Sequence, residues 1–291
     1  MQMKKLLCSI AACCMVAGSL SGCTGTGKQA DVKAEGLENL GSVQAVSREE
    51  GSGTRSVFTE SLEIYDRSTG QDFTREDSQI AESTEEVLNL VAAEPSAIGY
   101  LSTGAITDEN SVHALNVEDA DLSRTFYLTY SGTLTELKQD FLTYVRGAGQ
   151  EIVGKNFQKI KKSTEFLSNR AEGRLVIGGS SSVAGLMEEL AEAYGKYNPN
   201  AEISVIVTDS SDGLTKSMSG EYDFGMSSRE LKDYEKELLT CVPIAKDEIT
   251  VIVNCENRLQ EISSSDLFKI YTGQIHFWSE LYTEDEEETK Q

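Results

Sequence analysis

Arg48-Glu49-Glu50-Gly51-Ser52-Gly53-Thr54-Arg55 lies between a short apolar run, residues 43–46, and a segment with helical spacing at Val57, Phe58, Leu62 and Tyr65. The two glycines let the backbone turn sharply, and Ser52 or Thr54 can cap the helix that begins there. Free backbone N–H groups, two hydroxyls and two guanidinium groups then gather at one helix N-terminus, an arrangement suited to an anion. A glycine-serine-glycine turn also opens helices for capping alone. The rest of the chain has to decide between cap and ligand.

Downstream, the patterning predicts a helix over 85–93, a buried strand over 97–102, and strands over 112–117 and 125–129. Amphipathic spacing at Leu137, Phe141, Leu142 and Val145 predicts a helix over 134–146, and a second helix follows over 149–157. Residues 66–85 and 155–174 are polar without clear periodicity and read as surface connections. From Leu175 the chain alternates regularly: strand 175–177, helix 183–197, strand 203–207, a short helix carrying Leu214 and Met218, strand 222–226, and a β-branched run over 249–253. Such a continuous run suits a strand covered on both faces. The fold class is α/β.

One chemistry recurs at four strand ends. Gly51-Ser52-Gly53-Thr54, Ser180-Ser181-Ser182, Ser210-Ser211 and Ser227-Ser228 each follow an apolar strand. In open α/β sheets ligands sit beyond the carboxyl ends of the strands, where helix N-termini converge. A single such turn reads as an N-cap worth about 1 kcal/mol. Four at equivalent positions favour a shared oxyanion, with Arg48 expected to supply a bidentate, charge-assisted contact.

The first 22 residues have the form of a targeting segment: Lys4 and Lys5, then a largely apolar stretch over 6–20 too short to span a bilayer comfortably. It ends in Leu20-Ser21-Gly22-Cys23, which resembles the lipobox of bacterial lipoproteins and marks Cys23 for lipidation. Residues 23–41 read as a flexible tether and 286–291 as an acidic tail. Removing the first 22 residues takes two lysines and no acid from a chain of net charge −22, leaving −24. That surface argues against nucleic acid and anionic lipid as partners and leaves anion binding to local dipoles and arginines. Cys241 and Cys255 could form a disulfide or remain buried thiols.

The turns carry a family resemblance. Gly179-Ser180-Ser181-Ser182-Val183, Ser210-Ser211, the stretch from Phe224 to Leu231, Ile249 to Asn254, Ile270-Tyr271-Thr272-Gly273 and Trp278-Ser279-Glu280 are similar to the first half of phosphate-binding lipoproteins of the high-affinity phosphate ABC importer. Residues 47–55, Ala97-Ile98-Gly99-Tyr100 and 141–153 are similar to the second half. The resemblance implies a two-lobed, type II periplasmic-binding-protein-like fold with a ligand cleft between the lobes. Because the halves come in reversed order, it also implies a circular permutation, with new termini near Leu281 and Ser42. One lobe would run over 124–254 and the other combine 42–123 with 255–285. The implied phosphate contacts are Arg48, Ser52, Gly53, Thr54, Ser181, Ser182, the Val183 N–H, Ser210 and Ser228. Some family members carry an aspartate where this chain has Ser228, so rejection of sulfate or molybdate is less assured than affinity for an oxyanion. The implied partners are inorganic phosphate and a membrane ABC permease, with no cofactor. One copy of each half favours a monomer over a domain-swapped dimer.

Two other readings compete. A surface sensor or adhesion lipoprotein could keep the same fold without transport. A serine hydrolase is disfavoured: the sequence has no Gly-x-Ser-x-Gly elbow or Ser-x-x-Lys pair, and His113 and His276 lie away from the serine turns. Nor is there paired histidine spacing for a catalytic metal.

Overall fold

A computed structural model describes residues 36–107 and 110–282. The targeting segment, Cys23, most of the tether and the acidic tail lie outside the described residues. In chain order the elements are β1 (Gln44–Arg48), α1 (Gly53–Ser61), β2 (Tyr65–Asp66), β3 (Gln71–Asp72), β4 (Gln79–Ala81), α2 (Thr84–Ala93), β5 (Ala97–Ser102), β6 (Val112–Glu118) and β7 (Ser123–Tyr130). The second part of the chain holds α3 (Glu136–Arg146), α4 (Gln150–Asn156), β8 (Gly173–Ser180), α5 (Ser181–Tyr197), β9 (Ala201–Thr208), α6 (Ser210–Ser219), β10 (Phe224–Ser227), α7 (Asp233–Leu238), β11 (Thr240–Asn254), β12 (Glu261–Ser263) and α8 (Ser264–Tyr271).

Ten strands form one continuous sheet in the order β4-β1-β5-β11-β7-β10-β8-β9, with β6 branching from β11 and β12 pairing β6, while β2 and β3 make a separate hairpin. Continuity comes from β11, 15 residues long. Residues 240–248 of β11 pair antiparallel with β7, while 249–253 pair antiparallel with β5. The apolar core divides along the same line. One cluster joins Phe126, Phe141, Ile177, Met187, Leu190, Phe224 and Ile244. A second joins Phe58, Ile98, Tyr100, Val251, Leu267, Tyr271 and Trp278.

Within each half the strands that end near the middle of the molecule are parallel: β1 with β4 and β5, and β8 with β9 and β10. Their connecting helices therefore begin at the same edge, so α1, α5 and α6 all start there. Close packing makes this geometry specific. A Cβ on Gly213 of α6 would stand 2.7 Å from the Gly179 Cα of β8, and one on Gly225 of β10 would stand 2.5 Å from the Gly213 carbonyl oxygen. Glycine at these positions lets α6 lie directly on the two strands.

Three expectations need correction. Residues 66–85 are not a bare connection: they hold part of the β2–β3 hairpin, β4 and the start of α2. These strands are two or three residues long, too short to leave a period-2 pattern. The β-branched run at 249–253 is only the second part of β11, whose first part is broken by Pro243 at a register irregularity. Cys241 and Cys255 are both free, and Cys255 is exposed rather than buried.

Candidate functional site

Arg48 ends β1 with only 1% of its surface exposed. Its backbone is pinned by Tyr100, whose hydroxyl accepts from the Arg48 N–H at 3.2 Å and bonds Ser47 Oγ at 2.9 Å. Tyr100 is held in turn by a stacked Phe58 ring at 3.8 Å and an edge-on Tyr271 ring at 5.5 Å. Burial raises the Tyr100 pKa, so the phenol keeps its proton as a donor and acceptor. Arg55 does not join the cluster: it donates to the Arg48 carbonyl at 2.9 Å and pairs with Asp72 at 2.8 Å.

The Arg48 guanidinium corrects the expected free bidentate fork. Its Nε and Nη2 donate to the two carboxylate oxygens of Glu49 at 2.7 and 2.6 Å. A buried guanidinium without a counter-charge would be costly, and the neighbouring acid supplies one. Nη2 also donates to Ser181 Oγ at 3.0 Å and Nη1 to Thr84 Oγ1 at 3.4 Å. The face of Arg48 that carries Nη1 and Nη2 is thus turned to hydroxyls on both halves of the sheet.

Those hydroxyls meet each other. Thr54 Oγ1 lies 2.9 Å from Ser182 Oγ, and Thr84 Oγ1 lies 3.3 Å from Ser181 Oγ and 3.2 Å from Ser182 Oγ. Alongside, Ser180 donates to Ser228 Oγ at 2.9 Å, while Ser210 Oγ accepts from the Ser228 N–H at 3.1 Å. Gly53 links the two groups, since a Cβ there would stand 2.5 Å from Ser210 Oγ and 2.6 Å from Ser228 Oγ. Val183, fully buried, contributes a first-turn N–H of α5, which intrahelical pairing leaves free.

Capping explains one serine and not the rest. Ser52 caps α1, accepting from the Arg55 N–H. Helix α6 is capped by Asp209, and Ser180 at the start of α5 makes no side-chain cap. The hydroxyls of Ser182, Ser210 and Ser228 are therefore free of capping duty, while Ser181 Oγ accepts from the Thr84 N–H at the start of α2 at 3.3 Å. All nine sequence-predicted residues, Arg48, Ser52, Gly53, Thr54, Ser181, Ser182, Val183, Ser210 and Ser228, fall in this one zone, buried except for the half-buried Ser181. Three helix N-termini supply positive dipole ends to it. The histidines stand elsewhere: His113 Nε2 bonds the Leu259 carbonyl at 2.6 Å, and the His276 N–H donates to Glu280. Among the described residues no group of three or more His, Cys, Asp or Glu could hold a metal ion.

Sequence reading missed four contributors. Thr84, at the start of α2, closes the gap over Ser181 and Ser182. Glu49 neutralises Arg48. Arg124 on β7 donates from Nη1 to Thr54 Oγ1 at 2.7 Å and from Nε to Asp247 on β11 at 2.9 Å. The only available signal for this last pair was a charge at the edge of each apolar strand, which many surface strands share.

The Ser228 turn has its own brace. Arg229 makes a two-pronged contact with the Glu235 carboxylate, both bonds 2.8 Å and both side chains buried, and reaches Ser211 at 3.4 Å. Burial pushes the Glu235 carboxyl up, but the Arg229 fork and the Lys232 N–H outweigh it and leave the pKa lowered. A carboxyl lowered on folding stabilises the fold above its unfolded pKa of about 4.3 and loses that contribution as pH falls below it. Glu235→Gln is expected to lower the melting temperature at pH 7 and to flatten its decline between about pH 5 and pH 3. Parallel melting curves for the two proteins across that range would refute the brace.

Known proteins give this geometry a family. A model of the PBP superfamily domain matches residues 164–290. Phosphate-binding protein PstS 2 of Streptococcus pneumoniae is 37% identical, the match covering 83% of this chain and 88% of that protein. The Streptococcus agalactiae PstS 2 is 33% identical over 91% of this chain and 93% of its own length. The chain belongs to the PstS family. A crystal structure of a phosphate ABC transporter phosphate-binding protein from S. pneumoniae superposes with a TM-score of 0.66 at 36% identity, covering 83% of this chain and all of that one. In this PstS-family chain the serine turns stand together at the middle of the sheet, and among the described residues no helix is long and apolar enough to cross a membrane.

Proposed function

We propose that this chain captures inorganic phosphate outside the cytoplasmic membrane and delivers it to an ABC importer. The observation that carries the reading is the convergence of the buried hydroxyls of Ser182, Ser210, Ser228 and Thr54 with the half-buried Ser181 and the Arg48 guanidinium. Such donors serve an oxyanion better than they serve one another. Phosphate binding exchanges the hydroxyl–hydroxyl contacts across the cleft for charge-assisted bonds, which are shorter and about twice as strong. Ser52, Gly53, Thr54 and Val183 contribute from helix N-termini, Ser181, Ser182, Ser210 and Ser228 through their hydroxyls. Capture in this scheme is stoichiometric binding and not catalysis.

The same reading assigns residues 42–123 with 255–285 to one lobe and 124–254 to the other, with β7 and β11 as the crossing strands. It takes the order of the halves as a circular permutation and the protein as a monomer tethered through lipidated Cys23. Since Ser228 Oγ accepts the Ser180 proton and otherwise meets Ser210 Oγ at 3.3 Å, its own hydrogen is available to the anion as a donor. That favours a second anion, sulfate, more than an aspartate there would.

Titration calorimetry tests both points. One phosphate per chain is expected, with sulfate displacing it only at higher concentration, and phosphate at a hundred times its Kd should add about 2.7 kcal/mol of stability. No phosphate heat, with sulfate or molybdate binding instead, would overturn the assignment.

A further inference from the structure

Arg124 does not belong to any serine turn, yet it is buried, with 2% of its side chain exposed, and it touches the clamp. It stands directly opposite Asp247 in the antiparallel β7–β11 register, where the two halves of the sheet join. Asp247 accepts from Arg124 Nε at 2.9 Å through one carboxylate oxygen and from Ser102 Oγ at 2.9 Å through the other. The Phe126 ring lies 5.0 Å beneath the guanidinium carbon. Arg124 Nη2 is 2.8 Å from the same Asp247 oxygen but out of hydrogen-bonding line, leaving it a buried donor without a partner.

Donor chemistry orients the Thr54 hydroxyl. A guanidinium only donates, so at 2.7 Å from Arg124 Nη1 the Thr54 oxygen must accept. The Thr54 hydrogen is then turned away from Arg124, and Ser182 Oγ at 2.9 Å and the centre of the clamp lie open to it. We propose that Arg124 is a positioning residue of the phosphate clamp: from the strand crossing it orients Thr54 as a donor to the anion and sets a second positive charge one hydroxyl behind it. A purely structural role, an ion pair bracing two strands, would use Arg124 and Asp247 alike and leave Thr54 irrelevant. The inference rests on the phosphate reading.

The experiment is phosphate titration of the full chain carrying Arg124→Gln with Asp247→Asn, which removes both charges and avoids leaving one buried ion alone. Affinity should fall about tenfold to a hundredfold, with the far-UV spectrum unchanged. Thr54→Val alone should weaken binding comparably, and adding it to the charge-neutral pair should cost no more than about threefold further, as expected for residues acting through one contact. Should the neutral pair fail to fold, Arg124→Lys replaces it: it must weaken phosphate binding in the wild-type background and have little effect in the Thr54→Val background. Wild-type affinity in the folded neutral pair, or fully multiplicative effects with Thr54→Val, would overturn the role of Arg124. If wild-type protein itself gives no phosphate heat, the phosphate reading fails instead, so the two failures are told apart.

Discussion

Arg48→Ala is expected to reduce phosphate affinity by at least about a thousandfold, the largest effect of any single substitution in the clamp. Two terms act in the same direction. The anion loses its charge-assisted donors from Nη1 and Nη2. In addition Glu49, now bonded to Arg48 at 2.6 and 2.7 Å, is left as an unpaired carboxylate beside the site. Repulsion between that carboxylate and phosphate is strong where the local dielectric is low. Pairing the change with Glu49→Gln should recover part of the loss, because it removes the repulsion and not the missing donors. Glu49→Gln alone should hold phosphate at least as tightly as the wild type. Calorimetric titration of the three variants separates the terms, and near-wild-type affinity in Arg48→Ala would place the ligand elsewhere.

The reach of sequence reading is set by the range of the signals. Strand–turn–helix units such as 175–197 were legible because periodicity and turn chemistry are local: β8 and α5 appear where the apolar run and the serine turn put them. The candidate site residues stand out for the same reason, since each lies at or beside a turn with its own composition. What was hidden is pairing across distance. Glu49 adjoins Arg48 in sequence, but nothing in the order of the residues says that the fork closes on it and leaves Glu50 exposed. Thr84 reads only as a helix start. Arg124 and Asp247 are 123 residues apart and meet through the register of β7 and β11, which the bulge at Pro243 helps to set. The short strands β2, β3 and β4 escape because tertiary pairing defines them and no internal pattern does.

The charge balance of the site bears on how it attracts an anion at all. Arg48 is matched by Glu49 and Arg124 by Asp247, within a chain of net charge −22. Long-range attraction is therefore weak or unfavourable, and capture depends on donors that act at contact distance: helix N-termini and hydroxyls held in place before the ligand arrives. Such donors reward fit. An anion that fills the space between the halves of the sheet gains bonds from both, whereas one too small leaves buried hydroxyls unpaired.

Fit makes Gly53→Ala the second large effect, and a test of closure rather than of contact chemistry. Gly53 opens α1 and has no need of a left-handed backbone, so alanine suits its own helix as well or better. The obstacle is across the cleft: an added Cβ would stand 2.5 Å from Ser210 Oγ, 2.6 Å from Ser228 Oγ and 3.0 Å from the Arg229 nitrogen. Two of these atoms sit on fully buried serines, and the third is backbone, so none can swing clear as a flexible side chain would. The alanine fits only if the α1 start moves away from the α6 and Ser228 turns. Phosphate affinity should fall by roughly a hundredfold or more, as expected when several charge-assisted bonds are lost together. The ligand-free melting temperature should fall as well, because the same atoms already stand this close without the anion. Gly185→Ala is the matched control, because a Cβ on that α5 glycine meets nothing within 4 Å, and it should bind phosphate normally. A Gly53→Ala protein that binds like the wild type would mean that the halves do not need this contact to hold the anion.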